Sequence, residues 1–194
     1  MKTARVSMDE MMKRVSRFKD VTPQSDHHLS ELGIPAEAYE SLTAKTLYLL
    51  MAPSTLGGPM AQKPAVVGEK GLSVIVAECP PGDGPVLHAH HLTNETFFCL
   101  KGRFEIRWGD DGEQAIELDP FDMVAVPRGV QRAFKNITDE TAFLLVMITG
   151  ESDEAYNDIE FSPAIAEQIV REHGADVKAR FEKIGFSFEA GQDG

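Results

Sequence analysis

Cysteine is scarce in this chain: Cys79 and Cys99 are the only two among 194 residues. Two thiols are too few for a disulfide framework and suit a reducing compartment, so a cytoplasmic protein without structural disulfides is expected. Positive charge is short as well. Lys and Arg total 19 against 31 Asp and Glu, a formal net charge of −12. Nucleic acids and anionic membrane surfaces are bound through basic patches, so neither is expected as a partner. No apolar run approaches the ~20 residues of a membrane span. The opening stretch, MKTARVSMDEMMKRVSRFKD, lacks the continuous apolar segment of a secretion signal. Internal repeats and low-complexity tracts are absent too. What is present is 42% hydrophobic residues, enough to fill a single core.

From Leu72 onward, runs of strand formers follow one another at short spacing, which signals an all-β barrel or sandwich. Leu72–Cys79 is β-branched and closed by Pro80-Pro81. In Arg103–Trp108 the apolar Phe104, Ile106 and Trp108 alternate with Arg103, Glu105 and Arg107, so the first set should face the core. Gly109 to Gly112 supplies a hairpin turn into Gln114–Leu118, and Met123–Val126, Gln131–Asn136 and Thr141–Thr149 complete the series. An earlier strand is expected at Lys45–Met51. The Pro- and Gly-rich stretch from Pro53 to Pro64 reads as a loop over the mouth of the fold.

The two ends read differently. Ser7 with Glu10 forms a capping-box pattern, and Met8, Met11, Met12, Val15 and Phe18 fall at helical spacing. A second short helix is expected within Pro35 to Leu42. Ser162-Pro163 opens a helix that Gly174 stops, and Asp176–Ile184 makes another before Gly185. His27 and His28 lie in a polar stretch and read as surface histidines.

The most informative segment runs from Gly82 to Gly102, with the spacing G-x5-H-x-H-x4-E-x6-G set by His88, His90 and Glu95. Successive strand side chains point to opposite faces, so His88 and His90 project the same way. Thr93-Asn94 offers turn chemistry, and an antiparallel neighbour starting at Glu95 would set its carboxylate opposite the imidazoles. Two neutral imidazoles and a carboxylate are a ligand set for a divalent first-row metal, including the two-His-one-carboxylate face of non-haem iron sites. On the same strand face, Phe97 and Cys99 follow Glu95 and are expected to line the pocket.

Gly82, His88, His90, Glu95 and Gly102 resemble, residue for residue, the first signature of the cupin superfamily. The second cupin signature, G-x5-P-x-G-x2-H-x3-N, is similar to the run from Phe121 to Asn136. Pro127, Gly129 and Asn136 fit it; Phe121 stands in place of the opening Gly, and Arg132 in place of the fourth metal-ligand His. The resemblance covers roughly Leu72 to Gly150. It implies an all-β, cupin-type double-stranded β-helix (a jelly-roll barrel), here spanning 44–150, with helical extensions over 1–43 and 151–194. It implies a divalent metal (Fe, Mn, Ni or Zn) on His88, His90 and Glu95. It does not imply one reaction, because the superfamily holds dioxygenases, isomerases, lyases, storage proteins and sugar-binding domains. Cupin domains commonly pair through barrel faces and exchanged strands, so a homodimer is expected.

Arg132 complicates that picture. A guanidinium stays protonated and has no lone pair, so it cannot replace a ligand His. At ~6 Å and an effective dielectric of ~20 it would repel a dication by ~5 kcal/mol. Three arrangements relieve this. Arg132 turns away toward an acid such as Glu105 or Asp122, it holds a substrate carboxylate beside the metal, or it pairs with Glu95 in a site without metal. Dioxygenase-like chemistry on a small organic acid, with Arg132 orienting the anion, is the leading expectation. A non-catalytic metabolite-binding or sensing module and a Lewis-acid isomerase or lyase are the alternatives.

Overall fold

The computed structural model describes residues 2–23, 29, 32–54, 63–151 and 158–191. Two sheets enclose the main core. The larger has the strand order β2-β1-β3-β9-β4-β7, where β1 is Thr46–Ala52, β2 Val66–Val67, β3 Leu72–Cys79, β4 Thr93–Lys101, β7 Met123–Val126 and β9 Ala142–Gly150. The smaller has the order β6-β5-β8, from β5 Phe104–Trp108, β6 Gln114–Leu118 and β8 Arg132–Asn136. The sheets face each other without closing into a barrel, which corrects the closed jelly-roll expected from the motifs. Among the described residues, the ladders of paired strands stay within each sheet, and side chains fill the space between.

Strand alternation explains that filling. On β4, Glu95, Phe97 and Cys99 all point inward, and on β5 Phe104 and Ile106 do the same at 0% exposure. Phe134 of β8 meets Phe97 at 5.3 Å and Phe104 at 6.1 Å between ring centroids, tying the two sheets together. Trp108, expected in the core, is only half-buried, because it ends β5 opposite Arg132 at the rim. Thr93 and Asn94, read as a turn, are instead the first residues of β4, where Thr93 is buried and pairs with Gly150. The non-glycine residue at φ +76 is Phe121, standing where the second signature has Gly.

A second core lies under the terminal segments. Short helix α1 (Met8–Met12) carries the expected capping box, Ser7 with Glu10, and buries no residue. A 3₁₀ turn follows at Phe18–Asp20, and α2 spans Ala36–Glu40. At the other end come β10 (Ile159–Glu160), α3 (Pro163–His173), α4 (Ala175–Lys183) and β11 (Phe186–Ser187), with β10 and β11 pairing in parallel. Leu29, Ile34, Tyr39 and Leu42 from the first part pack with Phe161, Ile169, Phe181 and Phe186 from the last. Ser162 has the extended conformation of an N-cap but no capping side-chain bond, and Gly174 ends α3 at φ 95. Among the described residues, no helix is long and apolar enough to cross a membrane. His27, His28 and most of the Pro53 to Pro64 loop fall outside the described residues.

Candidate metal centre

His88, His90 and Glu95 meet between the sheets, their ligand atoms all within 4.8 Å of one another. They reach that point from different supports. Glu95 projects inward from β4, whose partners there are Val126 and Ile148. His88 sits on an isolated antiparallel bridge to Arg132, with backbone hydrogen bonds of 3.1 and 2.9 Å. The imidazoles thus belong to the edge of the small sheet and the carboxylate to the large one, rather than to adjacent strands of one hairpin. Glu95 Oε2 is 4.0 Å from Nε2 of each histidine.

The tautomers follow from the hydrogen bonds. His88 Nδ1 lies 2.8 Å from the Val86 carbonyl, and His90 Nδ1 bonds the Asp158 carbonyl. A carbonyl only accepts, so each Nδ1 carries the proton and each Nε2 presents its lone pair toward Glu95. Burial, followed by the nearby Arg132 charge, holds His88 down at about 4 and His90 well below the usual imidazole range. Both rings are therefore neutral at pH 7. Two nitrogen lone pairs and a carboxylate converge with no donor among the three, which is a binding site for a cation. Donor atoms at 4.0 Å are wider than the ~3–3.4 Å implied by metal–ligand bonds of ~2.0–2.1 Å, so the side chains must draw in by under ~1 Å. Backbone carbonyls locking the far ring nitrogens are the support such ligands need. The residues fit a divalent metal.

Arg132 pairs with Glu95 rather than with Glu105 or Asp122. Its side chain is wholly buried, and Nε donates to Glu95 Oε2 at 2.9 Å. Nη1 donates to the Val130 carbonyl at 3.2 Å, while Nη2 is buried without a partner among the described residues.

A cavity of about 110 Å³ opens onto the three donors. Its walls are mainly apolar, with Leu47, Ile75, Val146 and Ile148 from the large sheet, Leu42 from the N-terminal segment and Phe161 after β10. Arg132, expected to face a ligand, is not part of this wall; it stands behind Glu95. Phe97 and Cys99 do not line it either. Both are fully buried in the sheet core, because the cavity reaches only the Glu95 end of the inward face of β4. Burial also raises the thiol pKa of Cys99, so it carries no nucleophile at neutral pH. Sequence reasoning missed Tyr39, Leu42, Ile159 and Phe161 as wall residues. The apolar pair Ile159 and Phe161 flanking Glu160 was the one available signal.

The two facing sheets and the His88–His90–Glu95 cluster are a β fold with a candidate metal site between its layers. Residues 75–148 match the family model described as Cupin domain, so the likeness to cupins rests on this segment. Similar solved structures include BH2720 of Bacillus halodurans, at 15% identity and TM-score 0.40, covering 42% of this chain and 64% of that one. The cupin domain of Schizosaccharomyces pombe Cnp3 aligns at 16% identity and TM-score 0.45, covering 70% of this chain and 72% of that one. A cupin-superfamily sugar phosphate isomerase from Silicibacter pomeroyi aligns at 25% identity and TM-score 0.39, covering 43% and 54%. The chain therefore spans less than two thirds of the first and last of these proteins. No curated protein matches the sequence.

Proposed function

We propose that this protein binds a small organic acid with an apolar body at a divalent metal held by His88, His90 and Glu95, and acts as a non-haem, dioxygenase-type oxidoreductase. The observation that carries this reading is the convergence of two locked Nε2 lone pairs and one carboxylate at the polar end of an apolar cavity. Bound there, the metal supplies Lewis acidity and, if it is iron or manganese, redox activity. The chain's own residues do the rest. The Val86 and Asp158 carbonyls orient the rings. Leu42, Ile148 and Phe161 exclude water and hold the apolar body, while Arg132 fixes the Glu95 carboxylate. A cavity of about 110 Å³ is well below the ~300–1,000 Å³ of drug-sized pockets, so the ligand is small.

Calorimetric titration of chelator-treated protein with Fe(II), Mn(II), Ni(II) and Zn(II) tests the reading. One site per chain is expected, weakened about 100-fold or more in His88→Ala and His90→Ala. Equal affinity in wild type and both variants would remove it. The Arg132–Glu95 pair favours a second reading, a metal-free metabolite-binding module, in which ligand affinity is indifferent to chelator.

The same proposal places the protein in the cytoplasm as a homodimer. In support, both cysteines are free and buried. Met8 and Phe121 are 75% and 78% exposed, and Met123 and Leu92 are also exposed, apolar surface that a second copy would cover.

A further inference from the structure

Charge is balanced at this centre before any metal arrives. Arg132 Nε holds Glu95 Oε2 at 2.9 Å, one positive against one negative, and both are removed from water. In the form that ligates a metal the two imidazoles contribute none, since each Nδ1–H faces a backbone carbonyl and each Nε2 must present a lone pair. Among the described residues lining the cavity, Glu95 is the only carboxylate or cationic side chain apart from the histidines. A divalent ion placed on His88, His90 and Glu95 would therefore bring two charges that no further carboxylate among the described lining residues offsets. Burying unbalanced charge in a low-dielectric site costs far more than burying a balanced set. Arg132 Nη2 also lacks an acceptor among the described residues, a buried donor that an anion nearby would favour.

Resting on the metal reading above, we propose that metal and an anionic ligand occupy this centre together, each raising the other's affinity, because Arg132 has already spent the charge of Glu95. The co-ligand is a small anionic oxygen or nitrogen donor. A substrate carboxylate or phenolate fulfils that role, and a neutral ligand of the same shape does not. Arg132 acts here as a specificity-determining residue without touching the ligand. It sets the charge that the ligand must bring.

The test is zinc binding by the full chain, measured calorimetrically in perchlorate and again with azide at the same ionic strength. Wild-type protein should bind zinc about tenfold more tightly with azide, and azide should bind tighter by the same factor when zinc is present, as linkage requires. In Arg132→Gln, zinc should bind about tenfold more tightly without azide than it does to wild type, and the azide gain should shrink toward one. Zinc bound by wild type with equal affinity in both media overturns the proposal and leaves the metal reading standing. Zinc bound in neither medium overturns both. An undiminished azide gain in Arg132→Gln removes Arg132 from the account. The two wild-type titrations need no variant, so a failure of Arg132→Gln to fold leaves the test intact.

Discussion

Between the sheets, the core is filled by alternate residues of neighbouring strands, as when Phe97, Phe104 and Phe134 interlock across the gap. The core under the terminal helices has no such local rule. Tyr39 and Leu42 must find Phe161, Phe181 and Phe186 from the far end of the chain, and α2 alone is too short to hold itself together. The first region is written in short-range alternation and strand pairing, the second in a long-range meeting whose loop-closure cost is repaid only once both ends dock. The His88–His90–Glu95 cluster sits where they join. Its donors come from the sheet region, while Ile159 and Phe161 of the terminal region complete the cavity wall.

Truncating each core in turn would break or sharpen this contrast. Phe97→Ala, at a site with 0% exposure, should lower stability by about 4 kcal/mol in urea unfolding. Phe181→Ala, equally buried, should cost about 3 kcal/mol. Its signature should differ, with faster amide exchange in α3 and α4 than in β3 and β9. Uniform deprotection of all four elements would show that the two regions unfold as one unit.

Acid should act at the seam. His88 is held at about 4 when folded and returns to the ordinary value near 6.5 when unfolded. The unfolded chain therefore binds the proton first. Stability of the metal-free protein should be whole above pH ~6.5 and decline by roughly 3 kcal/mol as pH falls toward 4. His90, shifted the same way, adds to the loss. Thermal melts across this range that stay flat, with protein freed of metal, would contradict the neutral buried pair.

The smallest effects concern backbone. Gly174 ends α3 at φ 95, and nothing stands within 4 Å of where a Cβ would project, so Gly174→Ala meets strain alone and should cost about 2 kcal/mol. Phe121 sits at φ 76 in the sheet region, and Phe121→Gly should gain about 1 kcal/mol by releasing that conformation. A loss of stability in Phe121→Gly would mean that its ring, near Phe98 at 6.4 Å, contributes more than the strain costs.

The strand region was largely legible. Leu72–Cys79 and Met123–Val126 begin and end where alternation and turn residues place them, and the motif spacing picked out three residues that converge within 4.8 Å. Phe97 and Cys99 show where alternation stops informing. It assigns a face, but the cavity occupies one end of that face, and only three-dimensional packing says which end. The terminal wall residues were hidden for a different reason: no periodicity in Tyr39, Leu42 or Phe161 encodes a partner so distant in the chain. Sheet closure was also out of reach, since strand pairing across an open edge depends on geometry and not on residue type.

Phe161 joins the two regions physically, packing on Phe186 and Phe188 while its ring stands 6.0 Å from that of His88. Any molecule filling the cavity therefore leans on a residue that also anchors the C-terminal segment. Occupancy should then be readable far from the donors, as slower protease nicking between β10 and α4. The rate of cutting there would serve as a label-free gauge of cavity filling, usable for screening candidate compounds before any turnover is known.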